Sequence, residues 1–327
     1  MDRPLRVALV GAGNVAIRYH LPGWMATAGA ELTRVVDPRL DAAREAAERF
    51  GVPEWLGTFE DVLADSEVDA VDLATPALLH AQQTIAALAA GKHVIVEKPM
   101  ATRLEDAEAM VRAAEESDRT AMVGENWIFA RATATARATL AAGTIGKPFL
   151  FDAHNETPFL LRDFDRPERT DRDRLGYGFV GGIHSIAIAR HLMGEVEDIA
   201  AVANTTGAET GLGVPYDADM VIACRFRAGG IGSLLFTGRA HEPSDGGGRF
   251  RLLGTLGRIS FDVFSGRVET LVEGHHEIEQ DTIASTGHPE MYAHFLDCIA
   301  GRAEPLTSLS DQAENLRCLY RAYRTLS

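Results

Sequence analysis

The stretch LRVALVGAGNVA, Leu5 to Ala16, decides how the rest of the chain is read. Its first six residues are nearly all apolar or β-favouring, the pattern of a short strand buried on both faces. Gly11-Ala12-Gly13-Asn14-Val15-Ala16 follows at once and leads into a helix-like segment. This order of strand, glycine turn and helix is a dinucleotide fingerprint with alanine in the third small position. Gly11 permits the tight turn, Gly13 lets backbone N–H groups approach a pyrophosphate, and Ala16 keeps the helix close to the strand. The anion then rests on a helix N-terminus, with Asn14 and Val15 between the two small residues that shape it.

A second strand, Glu31 to Val36, ends at Asp37. That is about 20 residues past the glycines, where a carboxylate binds the ribose 2′-hydroxyl and repels a 2′-phosphate. Asp37-Pro38 also reads as an N-cap followed by proline at the first helical position, and both roles can hold together. NAD is therefore the expected cofactor, with NADP admitted because Arg39 could receive a phosphate.

The pattern continues with a helix Leu40 to Phe50, a short segment near Trp55, a helix from Thr58 and a strand Ala70 to Ala74 ending at Thr75-Pro76. A helix from about Ala77 to Ala90 carries His80 in its first turn. Strand Lys92 to Val96 then delivers Glu97-Lys98-Pro99, followed by a helix Leu104 to Ser117 and a strand Thr120 to Val123. Such alternation implies a parallel Rossmann sheet with ligands at the strand carboxyl ends, where Gly11, Asp37, Thr75 and Lys98 all fall. Pro99 pushes Lys98 out of the helical region, so its ammonium is aimed. With a carboxylate beside it, Lys98 is a candidate acid/base, although a strand-end lysine also reads as a solvated loop residue.

These segments resemble the Gfo/Idh/MocA oxidoreductases, named for glucose-fructose oxidoreductase and inositol dehydrogenase. The residues that carry the resemblance are GAGNVA at 11–16, His20-Leu21-Pro22, TPALLH at 75–80 and AGKHVIVEKPMA at 90–101. Gly-Thr-Leu-Gly at 254–257 and Leu192-Met193-Gly194-Glu195 extend it loosely across the chain. The resemblance implies a nicotinamide cofactor, a sugar or polyol substrate and Lys98 as a catalytic residue. Thr75, Glu97 and Lys98 are expected on the cofactor's nicotinamide side, with Pro76 and His80 also among the cofactor-binding residues. Gly181-Gly182-Ile183-His184-Ser185-Ile186-Ala187 matches the family's second catalytic segment, so His184 is expected to share the substrate proton with Lys98 over one nicotinamide. Read by itself, a histidine there could equally cap or pack its helix.

One departure stands out: the family usually has aspartate four residues before that histidine, and here the position is Val180. Either Lys98 and His184 suffice, or Tyr177 or Asp173 is recruited, or the relay is lost. The last case would make the chain a non-catalytic dinucleotide-binding sensor or regulator.

The domains expected are 1–124, dinucleotide-binding, and 125–327, an α+β domain for substrate and oligomerisation. Strand candidates in the latter are 147–156, 196–205, 215–227, 230–239, 248–253, 257–262 and 267–273, which suggest an open, mostly antiparallel sheet. One face needs a cover of helices or a second subunit, and a homo-oligomer, dimer or tetramer, is expected. The run 162–174, with five arginines among five acids, reads as a solvated loop or a hydroxyl-binding lid. His275 and His276 read as a solvent-facing turn, and Asp245-Gly246-Gly247-Gly248 as a flexible loop. Helices of about 289–300 and 308–326 end the chain.

A net charge of -15 argues against nucleic acid or an anionic membrane surface as partner. The three cysteines, Cys224, Cys298 and Cys318, show no CxxC spacing, which points to a reducing compartment and no zinc cluster. His184 and His191 are seven apart and could share a helix face, but no carboxylate joins them at ligand spacing, so no metal is expected. With no signal-like apolar segment at the start and no run long enough to cross a bilayer, a cytoplasmic protein is expected.

Overall fold

A computed structural model describes residues 3–158, 176–209, 215–240, 247–280 and 286–326. The chain forms two compact units, Met1–Asn126 with His288–Ala313, and Trp127–Gly287 with Glu314–Ser327.

The first unit is built on β1 (Leu5–Val10), β2 (Ala30–Val36), β3 (Glu54–Leu56), β4 (Ala70–Leu73), β5 (His93–Glu97) and β6 (Ala121–Gly124). All neighbours are parallel, in the order β3-β2-β1-β4-β5-β6. The direction of winding reverses between β1 and β4, which opens a crevice at the strand carboxyl ends. Val7, Leu9, Val71, Leu73, Val94 and Val96 are fully buried, as strands covered on both faces require. The helices Leu40–Phe50, His80–Ala89 and Leu104–Glu115 bury small or flexible residues such as Ala43, Ala47, Ala87, Ala107 and Met110. Short side chains there allow close approach to the sheet.

The segment from His288 to Ala313 returns to this unit, so the chain is not divided by a single cut after residue 124. Helix His288–Ile299 buries Met291, Tyr292, Phe295 and Leu296. Val123 N–H donates to the Thr307 carbonyl at 2.9 Å, and the Thr307 hydroxyl donates to the Val123 carbonyl at 2.8 Å, extending the β6 edge. An apolar stripe announces that a helix is packed but not against which core.

The second unit holds β7 (Pro148–Glu156), β8 (Val196–Glu209), β9 (Pro215–Phe226), β10 (Ile231–Thr237), β11 (Gly248–Gly254), β12 (Gly257–Asp262), β13 (Arg267–Val272) and β14 (His275–Gln280). Their order is β14-β13-β12-β11-β7-β10-β9-β8. Every pair is antiparallel except β7 with β10. The mostly antiparallel sheet expected is therefore present. On one face Phe151, Ala153, Asn155, Phe236, Phe250 and Leu252 are buried, and helices Arg131–Ala141 and Ile183–Met193 pack on the sheet. Alternate residues such as Val202, Val221 and Ile231 are exposed.

β14 corrects the turn expected at His275 and His276. Both open an edge strand whose six residues are all exposed. With no buried side it has no apolar alternation to announce it. Residues 162–174 and 241–246 lie outside the described residues. No helix among the described residues is long and apolar enough to cross a membrane.

Candidate functional site

The carboxyl edge of the first sheet gathers Gly11, Asp37, Thr75, Glu97 and Lys98, each at or just past the end of its strand. Gly11 has φ of 100°, and a Cβ there would lie 2.5 Å from the Ala74 carbonyl oxygen, so backbone crowding demands glycine. Gly13 differs: an added Cβ would meet no protein atom within 4 Å. Protein packing does not ask for glycine at 13, whereas a pyrophosphate lying on the backbone does. Asn14 and Val15 are exposed, and Ala16 is fully buried at the helix–strand contact. The loop thus fits a dinucleotide.

Asp37 is 5% exposed and pins this loop, since Ala12 N–H donates to Oδ2 at 2.9 Å. Arg39 closes over the same carboxylate, donating its backbone N–H at 2.9 Å and Nε at 3.0 Å to Oδ1, and Nη2 at 3.2 Å to Oδ2. Burial raises the proton affinity of Asp37, but the Arg39 and Ala12 donors outweigh it and hold the carboxyl below its ordinary value. Arg39 is largely exposed, and its swing outward would free Oδ1 for another donor.

Thr75 donates its hydroxyl to Gln83 Oε1 at 2.6 Å, and Pro76 leads a short turn, Ala77–Leu79, into the helix that starts at His80. The buried His80 ring spans two loops, with Nδ1 2.9 Å from the Pro99 carbonyl and Nε2 2.8 Å from the Thr75 carbonyl. A neutral imidazole has one N–H to give, and burial holds the proton affinity of His80 below normal. His80 therefore ties the ends of β4 and β5 together.

Glu97 is packed against Gly124, where a Cβ would come within 3.1 Å of its Oε2. Burial raises its proton affinity against the pull of Lys98 and His20. Behind it lies a cluster absent from the expected site. His20, 1% exposed, has Nδ1 2.8 Å from Asp72 Oδ2 and Nε2 3.8 Å from Glu97 Oε2. Trp24 Nε1 and the Tyr292 hydroxyl donate to the same Asp72 oxygen at 2.7 and 3.0 Å. The signal was available: a carboxylate at the centre of a buried parallel strand is anomalous unless paired. His20 reaches it because residues 16–20 form a π-helical turn ahead of Pro22, which has no N–H for a regular ladder.

In the second unit another π-helical turn, Gly178–Gly182, precedes the helix carrying His184. The His184 imidazole is 6% exposed and lies flat on Trp127, with centroids 4.1 Å apart and planes 9° apart. Phe250 and Phe264 meet Trp127 edge-on. Asn155 Nδ2 donates to the Gly181 carbonyl at 2.8 Å and fixes the turn from below. The Tyr177 hydroxyl, one of the groups considered in place of the missing aspartate, is engaged with Asn155 Oδ1 at 3.0 Å and Thr157 at 2.7 Å. Asp173 lies outside the described residues. A carboxylate that no motif announced, Asp217, accepts from Gly178 N–H at 2.8 Å and from the Tyr323 hydroxyl at 2.5 Å. Burial pushes Asp217 up to about 6 in spite of those donors. Among the described residues no group of three His, Cys, Asp or Glu side chains could hold a metal ion.

Sheet order and glycine turn together define a dinucleotide-binding Rossmann domain joined to a second α+β unit. Residues 5–125 match the oxidoreductase family with an NAD-binding Rossmann fold, and residues 133–260 match the Gfo/Idh/MocA C-terminal domain. Levoglucosan dehydrogenase of Pseudarthrobacter phenanthrenivorans is 30% identical over 292 residues, covering 79% of this chain and 73% of its own. The NAD(+)-dependent scyllo-inositol 2-dehydrogenase of Bacillus subtilis is 28% identical over 332 residues, covering 97% and 92%. A solved structure of levoglucosan dehydrogenase with NADH and levoglucosan superimposes with a TM-score of 0.86 at 25% identity, covering 99% of this chain and 97% of that one. The chain belongs to the Gfo/Idh/MocA oxidoreductase family. Membership makes it an NAD-dependent oxidoreductase.

Proposed function

We propose that this enzyme transfers hydride between a nicotinamide cofactor and a secondary alcohol or ketone of a sugar or cyclitol, with Lys98 as acid/base and His184 as its partner. The observation that carries the reading is the coincidence of Lys98 with the dinucleotide loop and Asp37 on one sheet edge. The substrates named for similar enzymes, levoglucosan and scyllo-inositol, support a polyhydroxylated ring.

Bound NAD+ supplies the hydride acceptor, and NADH the donor in the reverse direction. Gly11 and Gly13 keep the backbone close for the pyrophosphate, and Asp37 accepts from the adenosine ribose. Lys98 takes the hydroxyl proton as the carbon–hydrogen bond breaks, and returns it when a ketone is reduced. His184, its ring plane held by Trp127, hydrogen-bonds the same oxygen. Val202, Val221 and Ile231, exposed on the other face of the eight-stranded sheet among the described residues, support a homo-oligomer.

Lys98→Ala tests the reading. Turnover should fall by roughly 10²- to 10⁴-fold with NADH affinity nearly intact. Unchanged turnover removes Lys98 from the mechanism. Val180 favours a second reading, a sensor without turnover. Tight NADH binding with no absorbance change at 340 nm (the nicotinamide band) across a broad panel of polyols and keto-sugars would support that one.

A further inference from the structure

His20 belongs to a motif that the proposed chemistry does not use, yet it is among the most deeply buried titratable groups in the first unit. Its Nδ1 is committed to Asp72, and its Nε2 has no hydrogen-bond partner among the described residues while lying 3.8 Å from Glu97 Oε2. Asp72 is itself over-determined, receiving His20, Trp24 and Tyr292 on one oxygen at 2.7 to 3.0 Å. Those three donors hold the aspartate in place, and the aspartate fixes the imidazole so that Nε2 faces Glu97. The next residue is Lys98.

We infer that His20 is a positioning residue: braced by Asp72, it holds Glu97 as a carboxylate beside Lys98 and so sets the pH at which Lys98 can accept the substrate proton. The inference rests on the reading of Lys98 as acid/base. Other groups facing this pair are consistent with it. His288 and Tyr292 stand 5.5 and 6.3 Å from the His20 ring, centroid to centroid. A charged His20 disfavours a second charge on His80, while Lys98 and Glu125 act on Glu97 with opposite signs. Burial alone would strip His20 of its proton, but Asp72 and Glu97 outweigh it and keep its proton affinity above the ordinary value.

Two experiments test the inference. In the first, ¹⁵N-histidine NMR follows the His20 ring in the full chain without added cofactor. The expected result is a doubly protonated ring at pH 7 whose pKa drops by about one unit or more in Glu97→Gln. A neutral wild-type ring, or the same titration in both proteins, overturns the inference. In the second, the pH dependence of kcat/KM is measured with scyllo-inositol or levoglucosan, whichever is oxidised faster.

His20→Gln keeps a donor for Asp72 but removes the charge, so the buried Glu97 takes up a proton and Lys98 loses its neighbouring anion. The acid limb should then move down by about half a pH unit or more, with NADH affinity unchanged. Glu97→Gln should move it the same way, and the double variant should move it no further. A limb that stays put in His20→Gln, while Lys98→Ala is inactive, refutes the inference and spares the reading of Lys98. Full turnover in Lys98→Ala refutes both, whatever the NMR shows.

Discussion

His20 ends a π-helical turn in the first unit and His184 follows one in the second, but they are held by opposite means. His20 is gripped at its edge, between the carboxylates of Asp72 and Glu97. His184 is gripped on its face, flat on Trp127. An edge grip sets how many protons a ring carries, because the neighbouring charges favour one ionisation state. A face grip sets where the ring points, because stacking fixes its plane. A buried group that tunes a neighbour needs the first arrangement, and a group meant to meet a substrate oxygen needs the second.

The comparison breaks most decisively at Asp72. Asp72→Ala strands three buried donors and removes the charge beside His20, so urea unfolding should show a loss of about 3–5 kcal/mol. A loss below 1 kcal/mol would mean the cluster does not hold His20. Asp217, beneath the second turn, sharpens the contrast through pH. Its folded value of about 6 lies above the ordinary carboxylate value of ~3.9, so the neutral form stabilises the folded state. That contribution is complete below about pH 4 and is lost as pH rises through about 6, amounting to about 2–3 kcal/mol. Asp217→Asn should flatten the stability profile across that window, and an unaltered profile would assign the pH dependence elsewhere.

Trp127→Leu removes the face grip. It should lower turnover by about 3- to 10-fold, or roughly 1 kcal/mol of stacking, with little change in NADH affinity. Loss of cofactor binding instead would show that Trp127 does more than hold the ring. At Asp37 the effect falls on cofactor choice. Asp37→Ala should weaken NADH by about 10-fold while leaving NADPH within a few-fold, as titration of each by fluorescence would show. A wild-type preference for NADPH would mean that Arg39 governs the site.

Much of this was legible in the chain itself. Apolar runs ending at Gly11, Asp37, Thr75 and Lys98 mark the first sheet and its ligand edge, because a strand buried on both faces leaves an unbroken hydrophobic signature. The alternating strands from Pro148 mark the second sheet for the complementary reason. β14 escaped notice since all six of its residues face solvent. The return of His288–Ala313 to the first unit escaped notice as well, because the stripe Met291, Tyr292, Phe295 would suit either core. The Asp72 cluster joins residues up to 220 positions apart, and only folding brings Tyr292 to a strand that precedes it by that distance.

The central claim is that the Lys98 amine accepts the substrate's hydroxyl proton. Single-turnover hydride transfer, followed at 340 nm (nicotinamide absorbance) in Lys98→Ala with and without added small primary amines, tests it most directly. The account predicts a fall of roughly 10²- to 10⁴-fold, NADH affinity within a few-fold of wild type, and partial recovery with the amine. Wild-type rates in the variant, or a loss traced wholly to failed NADH binding, would contradict it.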